Sequence, residues 1–147
     1  MNDTNALIQL FERFQKLKKR VDQLEKIESG SGWIDYSSTS TVSGWTSFTT
    51  KEIFYKKIGR LVLVVFNIEG TSNSLSASFT VPDNLAANPL TLTVPIAAIN
   101  NGSEISNGIA KGSAGNNQIN LYTGLIGAGW AASGTKTTKG QFWYQMA

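Results

Sequence analysis

Trp143 stands between Gln141 and Gln145, and Trp130 sits in a stretch, 124–137, made mostly of Gly, Ala, Ser and Thr. These are residue types with which proteins grip sugars. An aromatic face covers the C–H surface of a ring, and side-chain amides exchange hydrogen bonds with hydroxyls. If 141–145 is a strand, Phe142 and Tyr144 share one face while Trp143 turns with both Gln residues to the other. Trp130, Trp143, Gln141 and Gln145 are therefore the candidate ligand-binding residues. Filling the core or a subunit interface is the competing use of Trp33, Trp45 and Trp143.

Catalysis finds less material. Hydrolysis of a polysaccharide needs two carboxylates about 5–10 Å apart. Beyond residue 32 the chain offers Asp35, Glu52, Glu69, Asp83 and Glu104, no two of them close in sequence. Asp83 also lies in a Pro-Asp-Asn turn that uses such a residue structurally. There is no Cys and no His, which removes thiolate chemistry, zinc sites built on those ligands and every nucleophile–His pair. No Asp-rich calcium loop occurs. A non-enzymatic protein without metal or cofactor is expected.

The net charge of +3 divides as six Lys/Arg against five Asp/Glu in residues 1–28, and seven against five in the remainder. The cluster Lys16, Lys18, Lys19 and Arg20 is interleaved with Leu17 and followed by Asp22 and Glu25, as on a solvated helix face. No nucleic acid is expected as a partner. No run approaches the roughly 20 apolar residues that span a bilayer, so membrane insertion is not expected. The start lacks a secretory signal pattern, and synthesis in a cytoplasm is expected.

The elements that must position these residues are of two kinds. Leu7, Leu10, Phe14, Leu17, Val21 and Leu24 recur at alternating spacings of three and four, the seam of a coiled coil. Asp3 or Thr4 can cap the start, Glu12–Lys16 and Asp22–Lys26 pair across one turn, and Gly30 follows the last turn. The stripe is narrower than the face a globular helix buries against its own sheet. Phe14 on the seam and Phe11 beside it widen it enough to favour three helices over two. Residues 1–28 are thus read as a trimeric coiled-coil stalk, 29–32 as a Gly/Ser hinge, and 33–147 as a β head.

In the head, Leu61-Val62-Leu63-Val64-Val65-Phe66 is apolar at consecutive positions, so both faces of that strand need cover. A neighbouring subunit on the outer face would supply it. Leu75, Ala77, Phe79 and Val81 alternate with polar residues, as do Leu90, Leu92, Val94 and Ile96. Turn residues divide the segment into eight expected strands near 33–36, 51–58, 60–68, 75–81, 90–99, 104–111, 117–123 and 138–146. These make an antiparallel β-sandwich of the jelly-roll kind. Residues 124–137, with Trp130, are expected to form a loop over the surface.

Two stretches carry a family resemblance. The tail Ala132-Ser133-Gly134-Thr135-Lys136 runs into Gly140-Gln141-Phe142-Trp143-Tyr144. In the middle, Tyr55-Lys56-Lys57-Ile58-Gly59 leads through an apolar strand to Ile68-Glu69-Gly70-Thr71-Ser72-Asn73-Ser74. With Trp33-Ile34-Asp35-Tyr36 and Gly44-Trp45, they resemble small bacteriophage fibre or appendage proteins over most of 33–147. The resemblance implies a homotrimeric virion component, joined to the particle through its N-terminal region and exposed on its surface. It further implies attachment to a host-surface glycan or protein. A capsid or tail decoration without receptor binding is the alternative. The resemblance carries over no binding residue.

Overall fold

The three-four spacing of the opening residues folds as its period requires. The computed structural model describes residues 3–28, 32–85 and 92–147, with helix side chains described from 7 to 23. The chain divides into two units, Met1–Ser31 and Gly32–Ala147. The first contains one helix, α1 (Asp3–Glu28). Leu7, Leu10, Phe14, Leu17 and Val21 are 48% to 65% exposed in the single chain. The side chain of Leu24 and residues 29–31 of the expected hinge lie outside the described residues.

The second unit is entirely β and antiparallel among the described residues. Its strands are β1 (Ile34–Asp35), β2 (Val42–Ser43), β3 (Trp45–Ile58), β4 (Leu61–Ser72), β5 (Ala77–Thr80) and β6 (Leu92–Pro95). They continue with β7 (Ala97–Asn100), β8 (Ser103–Ile105), β9 (Ile109–Gly112), β10 (Gln118–Tyr122) and β11 (Thr135–Gln145). Six form one sheet in the order β1-β3-β4-β11-β7-β8; five form the other, β2-β5-β10-β9-β6.

Strand alternation builds the core between the sheets. Val62, Val64, Phe66 and Ile68 of β4 point inward with Phe142 and Tyr144 of β11, and Phe79, Ile119 and Leu121 of the five-stranded sheet meet them. Phe66 and Phe79 pack across the sheets with tilted rings whose centroids are 4.8 Å apart, and Phe142 lies 6.2 Å from Phe66 and 6.3 Å from Phe79. The result is sandwich-like: two antiparallel sheets sharing one interior.

Among the described residues eleven strands replace the eight expected, and the differences have local causes. The expected strand 90–99 breaks at Ile96 into β6 and β7, which belong to different sheets. Its first two residues lie outside the described set. Pro95 has no N–H for a ladder, and the Ile96 N–H instead donates to the Gly108 carbonyl at 2.9 Å. Gly108 itself lies between β8 and β9, where the expected strand 104–111 breaks into two that also change sheet. Short β2 gave no sequence signal.

The long hairpin of β3 and β4 extends further than expected. Beyond the expected strand 60–68, β4 continues as far as Ser72, and β3 begins at Trp45 rather than residue 51. Gly70 lies within the strand for a steric reason. It faces β3 where that strand bulges between Trp45 and Ser47 and between Phe48 and Thr50. A Cβ at Gly70 would lie 1.9 Å from the Ser47 carbonyl oxygen. The glycine therefore serves close backbone approach, not chain reversal.

Trp130 corrects another expectation. Its segment is a loop only as far as Gly134, since residues 135–137 of the expected loop belong to β11, and the indole is only 2% exposed and belongs to the core. Its backbone N–H donates to the Leu75 carbonyl at 2.8 Å, and its Nε1 donates to the Leu121 carbonyl at 2.9 Å. Gly and Ser neighbours suggested a surface; a large ring with one donor can still seal a sandwich end when a free carbonyl waits inside. Trp130→Ala should lower unfolding free energy by about 3–5 kcal/mol, seen as an earlier urea midpoint with an unchanged slope.

Candidate functional site

The most chemistry-bearing surface follows from the two-residue period of β11. With Phe142 and Tyr144 turned inward, Gln141, Trp143 and Gln145 must turn outward, and they are exposed. Trp143 is 66% exposed, so its ring is available. The register sets what lies beside it. Trp143 is opposite Leu63, Gln141 opposite Val65, and Gln145 opposite Leu61. One strand further, Leu63 faces Lys56, Val65 faces Phe54, and Leu61 faces Ile58.

The outer face of the six-stranded sheet therefore has an apolar field of Phe54, Ile58, Leu61, Leu63 and Val65, with Trp143 and two amides along its margin. All are half-buried or exposed in the single chain. Exposed Trp33 adjoins β1 at the far edge, where Asp35 lies opposite Phe54. Such a surface can receive another apolar surface through its centre, or the C–H face of a ring on Trp143 with Gln amides at its hydroxyls.

The structure brings three of the four expected ligand residues onto this face and separates the fourth. Trp130 is interior and cannot stack on an external ring. The face continues along β11 past Lys139 and Thr137 to a shallow depression of about 310 Å³ lined in part by Ile99 and Glu104.

The carboxylates of the β-unit have mostly local partners, and Glu52 and Glu69 lie diagonally across the β3–β4 ladder, opposite Asn67 and Thr50. Asp83 pairs with Lys57 at 2.8 Å, and that hydrogen bond raises the Lys57 ammonium. Glu52 accepts from Asn67 Nδ2 at 3.2 Å. Asp35 accepts from the Ser37 N–H at 2.8 Å, and Ser37 holds its carboxyl below the usual range. Among the described residues no three acidic side chains gather as a metal site would require.

Sequence reasoning missed Lys136. On β11 its side chain enters the interior and is fully buried. The ammonium donates to the carbonyls of Gly44 at 2.9 Å, Ser74 at 3.0 Å and Ser76 at 3.4 Å. It also lies 4.9 Å from the Trp45 ring centroid and 5.4 Å from that of Trp130. Three protons thus meet three carbonyls between two aromatic faces. A lysine flanked by threonines in an alternating strand gives no sign of this; the only available signal was that the inward positions of β11 include 136. No family model and no curated protein matches the chain.

Burial pushes the Lys136 ammonium down to about 8 from the ordinary 10.5. The folded chain therefore releases this proton before the unfolded chain does, and between those pH values the unfolded state holds more protons. Stability contributed at this site rises with pH through that window. Urea titrations of wild type and Lys136→Met between pH 7 and 10.5 should show the difference moving in the wild type's favour above pH 8, by at most about 1.4 kcal/mol per pH unit. A pH-independent difference would contradict the assignment.

Proposed function

We propose that this protein is a non-enzymatic fibre or appendage component of a virus particle. Three copies are joined through α1, and the β-unit attaches to a glycan or protein on a host surface. The observation that carries the reading is the exposed heptad seam of α1: Leu7, Leu10, Phe14, Leu17 and Val21 form a stripe whose period suits other helices. A coil of about three heptads is marginal alone. The apolar field of Phe54, Ile58, Leu61, Leu63 and Val65 supports a second contact between the β-units of neighbouring copies, and tethering by the helices would raise their effective concentration.

In this reading Trp143, Gln141 and Gln145 form the ligand-facing margin, and the particle holds the protein by its N-terminal region. The bacteriophage resemblance of the tail and middle segments supports the virion setting. A decoration protein that fixes particle geometry without binding a receptor is the second reading; the same seam would serve it.

Sedimentation equilibrium should return three times the 15.9 kDa chain mass, and Leu17→Asp should reduce it by placing three carboxylates in one seam. A wild-type mass of one chain would overturn the proposal. The soluble trimer should also bind susceptible cells and compete with particle adsorption. Trp143→Ala should keep the trimer mass and weaken that competition by about tenfold, on the scale of one buried aromatic contact. If wild type binds no cells yet binds particles stripped of the protein, the decoration reading stands instead.

A further inference from the structure

The turn Gly124-Leu125-Ile126-Gly127 breaks a local rule. Central turn positions favour Pro, Gly, Asn, Asp or Ser, because those residues fit the backbone or bond to it. Here they are two large aliphatic residues, and Ile126 is 97% exposed. The turn is nonetheless well made. The Gly127 N–H donates to the Gly124 carbonyl at 3.0 Å, and the Thr123 N–H donates to the Ala128 carbonyl at 3.0 Å. The Thr123 hydroxyl reaches the carbonyls of Ala128 and Gly129 at 3.1 and 2.8 Å. Gly127 has φ of 85°, a conformation that closes the turn and suits glycine. Just beyond, the buried Trp130 pins the stem to Leu75 and Leu121. Leu125 and Ile126 are thus held out by the fold, with much of their ordering cost already met before any contact.

What surrounds the tip selects the partner. A Cβ at Gly127 would lie 3.7 Å from the Tyr122 ring, so this tyrosine forms the base of the turn. Lys111 Nζ lies 5.5 Å from the Tyr122 ring centroid. In β9, β10 and the 123–129 turn the one charged side chain is Lys111. Aliphatic tip, aromatic base and ammonium behind it form the order found across a membrane interface, where hydrocarbon gives way to headgroups and then to anionic charge.

We infer that the 124–127 turn is a membrane-contact loop that inserts Leu125 and Ile126 into an anionic lipid bilayer, with Tyr122 at the headgroup level and Lys111 facing lipid phosphate. The absence of an apolar run of spanning length bears on helices that cross a bilayer; a two-residue tip that lies on one is a different case. A single tip binds weakly, and several copies on one particle would add avidity. The loop is far shorter than a lipid anchor, so contact is reversible. This inference goes beyond the appendage reading and is tested separately from it.

The chain has no Cys, so Ala128→Cys can be labelled uniquely with an environment-sensitive fluorophore while the tip is kept intact. Vesicles of phosphatidylcholine with 30% phosphatidylglycerol should shift the label's emission to the blue, and Thr71→Cys, exposed on the opposite sheet, should report no shift. In flotation with the same vesicles, Leu125→Ser with Ile126→Ser should reduce binding about tenfold at unchanged melting temperature. Lys111→Gln should weaken binding and flatten its salt dependence. No emission change at 128, or equal flotation of the double variant, overturns the inference. So does a fall in sedimenting mass for the double variant, which would make the tip a subunit contact. Each of these three failures leaves the wild-type trimer mass, measured without lipid, to decide the appendage reading on its own.

Discussion

The two-faced apolar character of β4 is the constraint on which the rest of the β-unit turns. Backbone pleating sends Val62, Val64, Phe66 and Ile68 to one side and Leu61, Leu63 and Val65 to the other. The first set meets the opposite sheet and closes the interior around the Phe66–Phe79 contact. The second set has no such partner among the described residues of the β-unit. Because β4 is central and pairs with long strands on both sides, its outer residues cannot rotate away without breaking two ladders. The exposed apolar field is a fixed property of the sheet.

A second constraint acts at the crossovers. Lys136 reaches from the six-stranded sheet to Gly44, between β2 and β3, and to Ser74 and Ser76, between β4 and β5. Both connections pass from one sheet to the other. Their carbonyls lie where ladder pairing stops, and one ammonium satisfies all three while Trp45 and Trp130 exclude water. An unpaired charge in this position would be costly; the carbonyls and aromatic faces supply what a carboxylate would otherwise provide. Trp130 contributes twice, as a wall of this cage and as the anchor of the 124–129 turn. The interior thereby determines how rigidly Leu125 and Ile126 are presented.

The surface divides by chemistry. The outer face of the six-stranded sheet presents aliphatic residues bordered by Trp143 and two Gln amides, and suits broad contact. The turn at 124–127 presents two aliphatic side chains on a narrow tip near a lysine. Sparse charge across the β-unit leaves such differences to shape and apolar pattern, since neither strong attraction nor strong repulsion competes with them at short range.

The residues by themselves determined what depends on period and local backbone chemistry. The opening residues form a helix, β11 alternates between Phe142 and Trp143, and the chain is mainly antiparallel β, as side-chain periods of 3.6 and 2 require. Only the tertiary structure decided where strands change sheet, because the breaks at Ile96 and near Gly108 depend on one corner meeting another. It also decided that Gly70 lies within a strand and that Trp130 is interior. Composition reads Gly and Ser as surface, whereas burial depends on which distant carbonyl, ring or bulge lies opposite. Lys136 is the clearest instance: its role comes from three carbonyls at least 60 residues away in sequence, and no local pattern encodes contacts at that separation.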